Sequence, residues 1–138
     1  MPLNLIKLAV GAEDIADLRQ WQRRRKKERG FSAFYTRNTP RRAEELLDGG
    51  SIYWVIKGYV RVRQLLRGFT STVDEEGQPL CVVRYDMRLV PTVAVPKRPF
   101  QGWRYLEGKD APPDWKGSKG SAELPPKLAE ELRSLGLL

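Results

Sequence analysis

The run "SIYWVIKGYVRVRQLL", residues 51–66, constrains the fold more than any other stretch of the chain. Its first half is β-branched and aromatic, which favours a strand. The pleat puts Ile52, Trp54 and Ile56 on one face and Ser51, Tyr53, Val55 and Lys57 on the other. After Gly58 the alternation resumes, with Val60 and Val62 expected on one side and Tyr59, Arg61 and Arg63 opposite. One strand therefore follows another with no helix between. A doubly wound sheet needs helices that alternate with strands, so this run argues against that architecture.

The flanking segments fill in the rest. "LNLIKLAV" alternates as a strand, with Leu3, Leu5, Lys7 and Ala9 facing one way, until Gly11 breaks it. "AEDIADLRQWQRRRKKERG" reads as a helix: Glu13 and Asp14 suit the positive end of its dipole, and Gly30 closes it. Its apolar stripe of Ile15, Leu18 and Trp21 stops beyond Gln22, so "RRRKKER" is expected to project as a polar helix end or a basic arm. "FSAFYTR" reads as a short strand or an extended segment. A second helix is expected through "PRRAEELL", capped by Thr39, with Pro40 in its first turn and an end at Gly49 or Gly50. "LCVVRYDMRLV", the edge-like "PTVAVPKRP" and "PFQGWRYL" supply the later strands. The expected fold is α+β: a small mixed or antiparallel sheet, strongly bent or barrel-like, with two helices in the N-terminal half.

Charge divides the chain. Residues 1–106 carry a balance of +9 and read as one basic domain; residues 107–138 carry −1 and are rich in Gly, Pro and Ser. That second part reads as a loose tail, with a short amphipathic helix on Leu128, Leu132 and Leu135. The net charge of +8 points to a polyanionic partner, with nucleic acid favoured. There is no histidine and a single cysteine, Cys81, within an apolar run. His-based triads, an internal disulfide and the usual Cys/His zinc sites are thereby excluded, and neither a metal nor a cofactor is expected. This usage fits a reducing, cytoplasmic compartment. No apolar run approaches ~18 residues, so no membrane partner is expected. "MPLNLIKLAVGA" reads as a first strand rather than a signal peptide, because Lys7 interrupts it and acids follow at once.

The strongest site signal is cations mixed with aromatic rings. Ten Lys/Arg lie between Arg19 and Arg42, against one acid, Glu28. Arg61 and Arg63 share a strand face with Tyr59, and "KRPFQGWRYL" sets Arg98 and Arg104 among Phe100, Trp103 and Tyr105. Guanidinium groups grip phosphates while rings stack on unpaired bases. The expected nucleic-acid-binding set is Arg41, Arg42, Tyr53, Lys57, Arg61, Arg63, Arg98, Trp103 and Arg104. Glu44 and Glu45 are adjacent on a helix and diverge by about 100°, which rules out a paired acid/base site; Arg41 is expected to pair with Glu45 at i,i+4. Asp48 before Gly49-Gly50 reads as a helix cap. Lys57, ending an apolar strand before a glycine, is the one weak candidate for catalytic chemistry, as a base or nucleophile of lowered pKa.

"NLIKLAVG", "RRAEELLDGGSIYWVIKG", "RQLL" and "RPFQGWRYL", in that order over residues 3–115, resemble domain-of-unknown-function family 1489, uncharacterised alphaproteobacterial proteins. That resemblance implies no activity. The layout of an arginine-bearing helix, a glycine turn, an aromatic strand ending in Lys-Gly and later strands closing a small barrel is also similar to the PUA/ASCH/EVE group. That likeness implies a PUA-like pseudo-barrel and binding of RNA or a modified base between helix and barrel. Some ASCH members hydrolyse modified nucleosides with lysine, threonine and glutamate. For this chain the likeness points to Lys57, Thr36 or Thr39, and Glu44 or Glu45. The leading expectation is an RNA-binding module; a small nucleoside hydrolase and a protein-interaction module are the alternatives.

Overall fold

The computed structural model describes residues 2–115. Within them run β1 (Asn4–Leu8), α1 (Ile15–Arg29), β2 (Ala33–Thr36), α2 (Ala43–Leu47), β3 (Ser51–Ile56), β4 (Tyr59–Val73), β5 (Pro79–Tyr85), β6 (Val90–Pro96), β7 (Trp103–Leu106) and a single 3-10 turn, Gly108–Asp110. The strands form one mixed sheet in the order β2-β5-β4-β3-β1-β7, with β6 on the free flank of β4. β1 and β3 are parallel, joined by a crossover through α1, β2 and α2; the other pairings are antiparallel. The fold is thus α+β, as the strand pattern implies.

The expected barrel is not closed: the sheet ends on β2 at one side and on β7 at the other, and no ladder joins them. β2 is only four residues long, and the chain then leaves through Pro40, which has no N–H to give a ladder. The Arg42 N–H goes to the Tyr105 hydroxyl at 3.2 Å instead of a strand. The edges still approach each other, since Thr36 and Trp103 wall one shallow depression.

β4 is the frame of the molecule. Fifteen residues long, it pairs with β3 and β6 through its first half and with β5 through its second. Two register shifts bend it, one at Arg61 and one between Leu66 and Gly68. The first overturns the expected pleat. Trp54 faces Val62 but Val55 faces Val60, so Arg61 is a bulged extra residue. Val60 and Val62 consequently join opposite clusters, Val62 with Leu5, Trp54 and Phe34, Val60 with Ile6, Tyr53 and Phe100.

Both faces of β3 are covered, and all six of its residues are buried. On one face, Ile52, Trp54 and Ile56 meet Ile15 and Leu18 of α1, as the alternation predicts. On the other, Tyr53 and Val55 lie in a smaller cluster with Ile6 and Phe100. Cys81 is a fully buried core residue of β5.

The helices begin and end for local reasons. Asp14 caps α1 by accepting from the Asp17 N–H at 2.7 Å. Gly30 closes it in the left-handed region, its N–H donating to the Lys26 carbonyl at 2.7 Å. "RRRKKER" is therefore helical to Arg29. α2 differs from expectation: it starts at Ala43 with Arg42 as N-cap residue, not Thr39, and it is Arg42 rather than Arg41 that clasps Glu45. The same guanidinium reaches Glu107 at 3.2 Å and stands over the Tyr105 ring, which ties the helix start to β7.

From Glu107 the composition suggests a loose tail, yet the chain as far as Trp115 packs back on the sheet. The Val93 N–H donates to the Pro113 carbonyl, the Trp115 N–H donates to that of Pro91, and Asp114 forks onto Arg63 at 2.7 and 2.8 Å. The short helix expected on Leu128, Leu132 and Leu135 lies outside the described residues.

Candidate functional site

A cavity opens between α1 and the sheet. About 570 Å³ in volume, it falls within the usual range of ligand clefts. Its floor is the sheet face bearing Lys7 and Trp54, its roof is α1 with Leu18, Trp21, Arg24 and Arg25, and its far wall is Phe34 and Tyr35 of β2. The turn Ala9–Ala12 closes one end, which Gly11 makes possible with a φ of +86°.

The sheet itself explains why a lysine stands in this place. Lys7 follows Leu5 on the core-facing side of β1, directly beside Trp54 of β3 and Trp103 of β7. Its amine lies 5.7 Å from the centre of the Phe34 ring, half-buried, and burial pushes its pKa below the usual lysine value. Three more cations crown the cleft. Arg25 stacks on Trp21 at 4.1 Å, Arg29 on Tyr35 at 4.7 Å, and Arg24 lines the roof. Among the lining residues the only acid is Asp17, which already accepts from the Glu13 N–H.

A buried polar pair fixes the roof to the floor. Gln22 of α1 and Gln64 of β4 exchange amide hydrogen bonds, both 2.7 Å long. The Trp54 indole N–H donates to the same Gln64 oxygen at 2.8 Å, and the Gln64 amide nitrogen donates onward to the Asp86 carbonyl at 2.9 Å. An indole can only donate and a backbone carbonyl only accept, so the orientation of the Gln64 amide is fixed. The ring of Trp54 is held at its angle to Phe34 and Tyr85 by this arrangement.

Of the residues the sequence singles out, the structure brings Arg41 and Trp103 together in the shallow depression between β2 and β7, and Arg42 stands nearby over Tyr105. The others are dispersed. Tyr53 and Arg63 lie on the opposite face, where burial raises the Tyr53 pKa and the Asp114 carboxylate holds Arg63 more firmly charged. Arg104 also faces that side, stacked on Phe100 at 4.8 Å. Arg61 is buried in its bulge with its guanidinium over Tyr59. Arg98 is exposed on the β6–β7 connection. Lys57 sits on the β3–β4 turn at φ +49°, exposed, in an ion pair with Glu13. Sequence reasoning missed Lys7, Trp21, Arg24, Arg25, Phe34 and Tyr35 as a group. The available signal was a lone cation on the core-facing side of a strand that is otherwise apolar.

Lys7 is held at a cost to the fold, which gives a first expected result. Its lowered pKa means that the unfolded chain binds more protons in the window between the native and the unfolded values, so stability rises with pH there. Below that window the charged amine opposes folding. Lys7→Met is therefore expected to raise the urea midpoint at pH 7, and the advantage is expected to shrink as pH climbs through the lowered pKa.

The protein is thus of a definite kind: an open, bent α+β sheet with a basic-aromatic cleft beneath its long helix. The chain belongs to the family described as "Protein of unknown function (DUF1489)", whose model matches residues 5–138. No curated protein and no solved structure matches it.

Proposed function

We propose that the protein binds single-stranded RNA, with one unpaired base in the cleft under α1 and the phosphate chain along the basic turns of that helix. The observation that carries this reading is the combination at the cleft: rings on the walls, Lys7 on the floor, Arg24 and Arg25 in the roof, and Arg29 stacked on the lining Tyr35. Stacking on aromatic faces is tolerant of sequence and holds unpaired bases, and arginines supply the phosphate contacts. A ligand held between helix and bent sheet is also the layout that a PUA-like domain implies, which supports the same assignment by analogy. The hydrolase alternative draws little from the geometry, because Lys57 stands on an exposed turn beside Glu13.

The test is anisotropy titration of a labelled single-stranded RNA pool at several salt concentrations. Affinity is expected to fall with salt, with a log–log slope of about −0.7 per phosphate neutralised. The Arg24→Ala/Arg25→Ala double variant is expected to bind more weakly and to show a shallower slope by about one to two such contacts. Arg104→Ala, on the opposite face, is expected to leave binding unchanged. Affinity independent of salt, or equal loss from both variants, contradicts the placement.

A further inference from the structure

The cleft has a chemical bias that goes beyond binding RNA. The backbone of β1 at Lys7 is flanked by ladders on both sides, to Trp54 of β3 and Trp103 of β7. The Trp54 N–H is committed to Gln64. The ammonium of Lys7 is therefore the polar side chain that the floor offers to a ligand, and it has three donors and no acceptor. Phe34 in the far wall and Trp21 in the roof offer apolar surface.

Resting on the reading of the cleft as an RNA-base site, we propose that Lys7 makes it selective for guanine over adenine. Guanine presents O6 and N7 as adjacent acceptors on one edge, and adenine puts an amino donor where guanine has O6. A donor-only floor satisfies the first edge twice. It leaves the second with one contact and a donor facing a cation. Arg24 and Arg25, in the roof, act on phosphate and are indifferent to the base.

The experiment compares short oligouridylates carrying one central guanosine or one central adenosine, by anisotropy at fixed salt. Wild-type protein is expected to bind the guanosine probe about tenfold more tightly, the size of a good base-edge contact. Lys7→Met is expected to remove that preference, weakening the guanosine probe by at least about tenfold and the adenosine probe, which loses a single contact, by clearly less. Arg24→Ala is expected to weaken both probes by the same factor. Equal binding of the two probes by wild type, or a preference that survives Lys7→Met, overturns the selectivity and leaves the RNA reading standing. Binding of neither probe overturns both. Near-ultraviolet circular dichroism of each variant confirms that the fold is intact before the probes are compared.

Discussion

Gly50→Ala is expected to destabilise the protein by at least about 3 kcal/mol, the upper end of what overpacking costs. A Cβ at Gly50 would stand 2.2 Å from the Leu3 carbonyl oxygen and 2.3 Å from that of Leu46. Both are backbone atoms, so no side-chain rotation can relieve them. The residue is also bonded in place: its N–H donates to the Leu46 carbonyl, and its carbonyl accepts from the Leu66 N–H. It is the point where the start of β1, the end of α2 and the middle of β4 touch. Gly49 is the control. It has a φ of +86° and open space around its Cβ position, so Gly49→Ala is expected to cost only about 1–2 kcal/mol, the strain of a left-handed alanine. Urea midpoints of the two variants, with unchanged slopes, check the contrast. Equal losses from both would show that the close approach at Gly50 does not exist.

Gln64→Leu is the second large effect, expected at about 3–5 kcal/mol. The change keeps the volume but leaves the Gln22 amide and the Trp54 indole N–H buried without their partner, at about 1–3 kcal/mol each. The Asp86 carbonyl loses a donor as well. Gln22→Leu on its own is expected to cost less, since Gln64 keeps two of its partners, Trp54 and Asp86. The double variant Gln22→Leu/Gln64→Leu is expected to cost clearly less than the sum of the singles, because the pair is then removed together. Additive losses would mean that the two amides do not interact. Because Trp54 is positioned by Gln64, the single variant is also expected to weaken the proposed RNA binding under conditions where it stays folded.

The parts of the fold legible from sequence are those set by local periodicity. Ile52, Trp54 and Ile56 reach the core together because nothing interrupts the pleat of β3. Gly30 ends α1 because the left-handed region suits glycine. The pleat of β4 was not legible. A bulge is a tertiary adjustment to pairing with β3 and β6 at once, and "YVRVRQ" alternates as well with it as without it. The start of α2 was misread for a similar reason. Thr39-Pro40 has the chemistry of a helix start, but the Tyr105 hydroxyl from a strand 63 residues away takes the Arg42 N–H.

The site was legible in character and not in place. The basic helix end and the surplus of rings suggest cations beside aromatic faces, and Arg25 on Trp21 and Arg29 on Tyr35 are such pairs. Linear proximity then put the emphasis on Arg41, Arg42, Tyr53 and Lys57. The pleat and the β3–β4 turn send Tyr53 and Lys57 away from the cleft. Lys7 of β1 and Arg25 of α1 line one cleft only because β1 is parallel to β3 and lies under the helix. No local pattern encodes that crossover.

The most direct test of the cleft is photocrosslinking of the full-length protein to a 4-thiouridine-substituted single-stranded RNA, followed by mass-spectrometric mapping of the modified residues. Crosslinks concentrated on Trp21, Phe34 and Tyr35, and competed away by excess unlabelled RNA, are the predicted result. Crosslinks concentrated on Tyr53 and Arg104 of the opposite face, or none above background, would contradict it.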